Sequence, residues 1–483
     1  MINCTSHLKQ FIAACFCLIS LTTFIACGGS KNSTSSNNGK KPSNGKMDKT
    51  TGQNGGNNSS VDSIRWKVDP AVRPPISAST PRPSTNGNGG VVIDNGTTTY
   101  PNNGNGTVLQ PGEVVNAATP FNLTLLLPFY GEKYVEGNPI PSKSQFAVDF
   151  YAGARLAIDS LSLQPFKTNI NVLDSRNNPQ GLFSRAEVVN SDLIIGPVEK
   201  DLIPQFLDFS QRYNKTVVSP FFPSGDVDGV HPNFIQVKPS LRTHCENILR
   251  HARSMFNAQQ IVLVARSAEN EIARFNYFQD ANSAINQSQN GGGRLDEWDI
   301  TDENNLDPTT YIRPTGTTVF IIPSWNENFV GSFLKKLNAS PNRNRIVVYG
   351  MPQWLDFDKS LYPAYANLSA RISSSTYINA NDMAARDFKS KYVARFKKAP
   401  STDSFLGFDC VMYFGTELYR YGNKFSAYLQ NEQRPVLHTQ FKFEPVLART
   451  SADGDIGDNA AKYENKYVNI LKFNVNGFKL EGQ

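Results

Sequence analysis

The stretch SDLIIGPVEKDLIPQFLDFSQRYNKTVVSP, residues 191–220, reads as strand, helix, strand. Leu193, Ile194 and Ile195 form an unbroken apolar run, the pattern of a strand covered on both faces. Gly196-Pro197 ends that run, and a stretch from Lys200 to Asn214 then carries Leu202, Ile203, Phe206, Leu207 and Phe209 at helical spacing. Thr216, Val217 and Val218 resume a β-branched strand before Ser219-Pro220. A strand that returns through a helix to a further strand is the repeating unit of a parallel sheet. The turn after Ile195 is a natural place for a ligand, because a helix start offers unpaired N–H groups. Val198, Glu199 and Lys200 are nevertheless not the small polar residues that cradle an anion, and Glu199 also suits a solvated first turn favoured by the helix dipole.

The alternation extends outward from this unit. NLTLLLPFY (122–130) and INVLD (170–174) read as strands around the amphipathic helix SQFAVDFYAGARLAIDSL (144–161), with a short helix in GLFSRAEVV (181–189). After FIQVKPS (234–240) the pattern restarts with strands in QIVLVA, TTVFIIP and RIVVYG, separated by helices beginning near Leu241, Asn270 and Glu327. Two helices follow at 381–396 and 405–422, and HTQFKFE (438–444) and YVNILKFN (467–474) read as antiparallel or edge strands. The chain is therefore expected to be α/β, with two doubly wound parallel-sheet lobes joined by a three-strand hinge. Residues 119–237 plus 377–435 are assigned to lobe 1, and 238–376 plus 436–483 to lobe 2.

The N-terminal quarter is of another kind. CTSHLKQFIAACFCLISLTTFIAC (4–27) carries Lys9 and then an apolar run too short for a membrane span but suited to a signal-peptide core. Ala26-Cys27 followed by Gly28-Gly29-Ser30 resembles a bacterial lipoprotein signal, so residues 1–27 are expected to be a signal peptide with Cys27 acylated. Residues 28–118, rich in Asn, Gly, Ser, Thr and Pro, bury too little apolar surface to offset ordering and predict a disordered tether. As a coil of about 90 residues it would separate its ends by roughly 50 Å. The domain is thereby placed in the periplasm, lipid-anchored in the cell envelope, with the outer membrane as the expected site because Gly28 follows Cys27.

Composition and motifs exclude several classes. A net charge of +6 spread over 483 residues without a basic stripe gives no reason to expect nucleic acid. Cys245 and Cys410, far apart and in apolar helical patterns, are expected as buried thiols. His244 and His251 lie seven apart beside Cys245 but lack further ligands at metal spacing, and no HExxH, GxSxG or Walker loop is present. No enzyme activity, cofactor or metal is expected.

LLLPFYGE (125–132), FYAGARLAIDSL (150–161), INVLDSRNNP (170–179), the quoted 191–220 unit, PNFIQVKPS (232–240) and FLGFDCVMYFGTELYRYG (405–422) occur in the order in which the type I periplasmic binding proteins carry their corresponding segments. The chain resembles that family, represented by the leucine/isoleucine/valine-binding proteins, over nearly all of residues 119–483. VFIIPSWNENFV (319–330) and VVYGMPQWLDF (347–357) are similar to lipoproteins of Bacteroidetes-like bacteria.

The resemblance implies a ligand cleft between lobes, built from loops at the strand ends. Those ends nominate Phe129, Tyr130, Gly196, Pro197, Val198, Glu199, Ser219, Phe221, Phe222 and Ser224 on the first lobe. Arg266, Ser267, Ser324, Trp325, Gly350, Met351 and Trp354 are nominated on the second, with Tyr377 near a crossing. The hydroxyls with which the family's amino-acid binders hold an α-carboxylate are absent, and the aromatic lining favours sugar rings or apolar groups. Two functions follow from the resemblance. One is a solute-binding or sensing lipoprotein that closes on a small organic ligand and feeds a permease. The other is an envelope interaction protein that regulates a cell-wall synthase without a small ligand.

Overall fold

The computed structural model describes residues 120–163, 167–197, 199–222, 229–266, 269–288, 292–303, 305–449, 456–475 and 477–481. The expectations for residues 1–118, including Cys27, and for Val198, Ser224 and Ser267 lie outside them.

In the first lobe β1 (Phe121–Leu127), β2 (Thr168–Asp174), β3 (Leu193–Ile195), β4 (Thr216–Ser219) and β5 (Phe234–Gln236) are all parallel, in the order β2-β1-β3-β4-β5. The unbroken apolar runs arise because both faces are covered. Leu125, Leu127, Leu193, Ile195, Val218 and Ile235 join one core with α1 (Gln145–Leu161). The alternate residues Leu126, Ile194, Val217 and Phe234 join another, beneath α2 (Ala186–Val189) and α3 (Ile203–Tyr213).

The second lobe repeats this order. β6 (Ile261–Arg266), β7 (Asp296–Ile300), β8 (Thr318–Ile321), β9 (Ile346–Gly350) and β10 (Arg371–Ser374) lie as β7-β6-β8-β9-β10, all parallel. Its core is packed by α4 (Leu241–Met255), α5 (Glu269–Ser288), α6 (Glu327–Ala339) and α7 (Tyr362–Asn367).

The chain then returns to lobe 1 with α8 (Met383–Phe396) and α9 (Thr402–Tyr421), which complete the first core beside α1. The α1–α9 crossing is backbone against backbone. A Cβ on Gly153 would lie 1.7 Å from the Ser404 carbonyl oxygen, and one on Gly407 would lie 2.0 Å from that of Phe150. The glycines of the two quoted helix motifs therefore set the interhelical distance.

One expected boundary is corrected. After a short ribbon, β11 (Arg434–Pro435) with β12 (Gln440–Phe441), come β13 (Phe443–Arg449) and β14 (Ile456–Asn465). These extend the lobe 1 sheet, β14 parallel to β5 and β13 antiparallel to β14. Only β15 (Asn469–Asn474), antiparallel to β10, and β16 (Gly477–Leu480) belong to lobe 2. Residues 436–465 thus remain with lobe 1, because β5 offers an open edge to a strand arriving from α9. The three crossings are residues 237–240, 375–382 and 466–468. Cys245 and Cys410 are buried free thiols, and among the described residues no helix is long and apolar enough to cross a membrane.

Candidate functional site

Doubly wound sheets hold ligands beyond the carboxyl ends of the strands, where the strand order reverses. Here the reversals fall between β1 and β3 and between β6 and β8. Each is occupied by the protein's own charges.

In lobe 1 the Asp174 carboxylate, at the end of β2, accepts from the backbone N–H groups of Phe129, Gly131 and Arg176 at 3.0, 2.7 and 3.0 Å, closing the loop after β1. Arg176 then spans to the loop after β3. Its Nε donates to Glu199 at 2.7 Å, and its two terminal nitrogens donate to the Asp201 carboxylate at 3.0 and 2.9 Å. Ser175 Oγ donates to Glu199 at 2.9 Å. Burial raises the Glu199 carboxyl above its ordinary value, while Arg176 and Ser175 pull it down. An anionic ligand group entering at this loop would meet the Glu199 carboxylate. Tyr130, half-buried with φ 53°, lies over the same loop, its ring 6.0 Å from the Arg176 guanidinium.

In lobe 2 the buried Glu271 accepts from Arg266 Nε at 3.1 Å and from Ser324 Oγ at 2.6 Å, and pairs with buried Arg274 at 3.4 Å. Arg266 also pairs with Glu303 at 2.8 Å. The Arg274 guanidinium lies 4.2 Å from the Trp325 ring centroid, holding an exposed indole against lobe 2.

A cavity of about 40 Å³ lies at the hinge, between the first and second crossings and the strand end that leads into the third. Val237, Lys238 and Pro239 line it from the first crossing and Ser375 and Thr376 from the second. Asn465 lies just before the third, and Thr402, Asp403 and Leu406 come from the start of α9, with His438 and Thr439 closing one side. Lys238 is half-buried and its ammonium lies 5.7 Å from the Phe221 ring centroid. Burial lowers the Lys238 ammonium below its ordinary value, opposed by Asp403, and raises the Asp403 carboxyl, opposed by Lys238. His438 is held by buried Asp409, which accepts its Nδ1 at 2.5 Å, its backbone N–H at 2.9 Å and that of Leu437 at 3.0 Å. The His438 carbonyl in turn accepts from Tyr377 N at 2.7 Å, linking α9 to the second crossing.

The structure disperses several nominated residues. Phe129 is buried edge-on to Tyr151, and Met351 and Trp354 are buried in the lobe 2 core, so these three are framework rather than cleft lining. The Trp354 ring packs against Gly350, and its indole donates to the Ser324 carbonyl at 3.0 Å. Gly196, Pro197 and Ser219 are buried, with Ser219 Oγ donating to the Pro197 carbonyl at 3.4 Å, next in the chain to the clasp that Arg176 forms with Glu199 and Asp201. Phe222 packs against the α2–α3 core, Tyr377 against the lobe 2 core, and Phe221 bridges α1 and the hinge. Tyr130, Glu199, Arg266 and Trp325 stand at the strand ends. His244 and His251 bond Ser373 Oγ and Tyr349 Oη, each at 2.9 Å. Sequence reasoning missed Lys238, Asp403 and Asp409. Lys238 stands inside the quoted crossing motif and Asp409 inside the quoted α9 motif, but no spacing rule joins them.

No protein-family model and no curated protein sequence matches this chain. Solved structures do match in fold. A candidate branched-chain amino acid ABC transporter protein from Rhodospirillum rubrum is 13% identical with a TM-score of 0.54, covering 75% of this chain and 100% of its own. Full-length LpoA from Haemophilus influenzae is 11% identical with a TM-score of 0.50, covering 76% of this chain and 59% of its own. The LpoA C-domain from the same organism, described as a regulator of PBP1A, is 11% identical with a TM-score of 0.48, covering 74% of this chain and 99% of its own.

Proposed function

We propose, from the premise that the chain has a type I periplasmic-binding fold, that it is a cell-envelope receptor whose two lobes close on a small organic ligand. The observation that supports this most directly is the hinge. Three crossings join the two sheets, and a cavity is lined by the first two of them and by the strand end that leads into the third. A closing motion would alter the walls of that cavity, so a ligand there and the angle between lobes are coupled. Feeding a permease, and attachment through an acylated Cys27, belong to the same reading.

The reading is tested by melting the full-length protein against a panel of amino acids, sugars and muropeptides. A ligand at a hundred times its Kd stabilises by about 2.7 kcal/mol, a shift of a few degrees for a chain of this size. No shift across the panel would remove the receptor reading.

The second reading, an envelope interaction protein acting on a cell-wall synthase, is favoured by a specific feature. Both strand-order reversals are filled by internal ion pairs, Arg176 with Glu199 and Asp201, and Arg266 and Arg274 with Glu271. Crosslinking in cells that captures a wall synthase, together with a silent ligand panel, would establish it.

A further inference from the structure

The hinge cavity contains two opposite charges that feel each other electrostatically but have no direct hydrogen-bond or ion-pair partner among the described residues. No acceptor lies within hydrogen-bond or ion-pair range of Lys238 Nζ among the described residues, and no donor lies within range of the Asp403 carboxylate. The two residues come from different elements, the first crossing and the first turn of α9, yet do not form an ion pair with each other. Among their neighbours, His438 Nδ1 is engaged by Asp409 and the Asn465 side-chain oxygen by Lys442 N, while the His438 ring also favours the charged form of Asp403.

Lysine can only donate and an ionised aspartate can only accept. A hydroxyl does both, accepting from the ammonium and donating to the carboxylate. The two charges cancel, so an anion would be opposed by Asp403 and a cation by Lys238. A zwitterion would have to strip water from two charges of its own, whereas hydroxyls carry a much smaller desolvation cost. The space of about 40 Å³ admits about three water-sized groups, enough for neighbouring hydroxyls. The Phe221 ring beside Lys238 offers an apolar face to ring C–H groups.

We infer that this cavity is a subsite for an uncharged polyhydroxylated ligand, a sugar or cyclic polyol, whose neighbouring hydroxyls bridge Lys238 and Asp403. The inference rests on the receptor reading and adds the subsite and the ligand class to it. Because the cavity is lined by the first and second crossings and by the residue that leads into the third, occupancy there bears on the hinge itself.

The experiment is titration calorimetry of the full-length protein with ribose, glucose, N-acetylglucosamine and myo-inositol, alongside leucine, glycine and acetate. Expected is binding of at least one polyol, weakened ten-fold or more in both Lys238→Met and Asp403→Asn. The unliganded melting temperature and circular dichroism should match wild type. If Lys238→Met does not fold, Lys238→Gln keeps the polar contact to water and replaces it. A polyol bound equally well by both variants would overturn the hinge assignment and leave the receptor reading standing. Binding of leucine, glycine or acetate in its place, lost in both variants, would keep the subsite and overturn the polyol class. No binding by any compound would remove this inference, and silence in the broader melting panel would show that the receptor reading had fallen with it.

Discussion

At the scale of single residues, the loop after β3 is decided by one arginine. Glu199 is the half-buried partner of Arg176, which also holds Asp201 through two parallel bonds. Replacing Arg176 by Ala leaves Glu199 with Ser175 alone, so a loss of about 1–3 kcal/mol is expected, read as a lower urea midpoint. Glu199→Gln should cost less, because its amide oxygen still accepts from Arg176. Gly196 is a second such position. Its φ is +126°, and a Cβ would stand 2.3 Å from the Leu126 carbonyl oxygen. Gly196→Ala should therefore destabilise by about 3 kcal/mol in the same measurement. The turn at Gly196-Pro197 was legible from residue type. The clasp was not, because Arg176 lies 23 positions from Glu199 and becomes its neighbour only when β1 is paired on both sides, by β2 and by β3.

At the scale of elements, α9 joins the core to the hinge. It meets α1 through Gly407 and Gly153, and its fully buried Asp409 accepts from Leu437, His438 and the His438 ring. Asp409→Asn weakens the backbone bonds and leaves buried groups poorly paired, with an expected cost of about 2 kcal/mol or more by chemical denaturation. The first and third crossings share a second buried carboxylate. Glu464 accepts from Ser240 N at 2.7 Å and Thr243 Oγ1 at 2.6 Å, and pairs with Lys466 at 3.2 Å. Burial pushes its carboxyl up, but Lys466, Lys462 and these hydrogen bonds outweigh it and hold the group below the ordinary 4.5. A depressed folded-state pKa means that the native state releases the proton more readily than the unfolded chain. The stabilisation is complete above about pH 4.5 and is lost as pH falls through the lower folded value. Glu464→Gln should therefore be less stable at pH 7 and show a shallower loss of urea midpoint below pH 4.5; parallel acid limbs would refute the assignment. The helices and strands themselves were readable from periodicity, including the α9 glycine and aspartate as a motif. What those residues do was not readable, since their partners are on α1 and in the loop before β12.

At the scale of the whole molecule, two mostly parallel sheets of the same strand order are joined by three crossings, with a cavity lined by the first two. For the proposed anchor, intact mass of the full-length protein purified from a bacterial envelope should exceed that of Cys27→Ser by a lipid mass; equal masses would refute acylation. The amino-acid sequence by itself determined the α/β class, the doubling into two lobes and the buried strands. These follow from local hydrophobic runs and helical spacing, which any contiguous stretch of chain displays. Only the tertiary structure decided that residues 436–465 return to the first lobe, because edge pairing with β5 depends on which strand is left open. It also decided that Phe129, Met351 and Trp354 are core, and that Lys238 and Asp403 share a cavity 165 positions apart in the chain. A long-range juxtaposition of charges carries no local signature, since each residue alone looks like an ordinary solvated side chain until the chain closes around it.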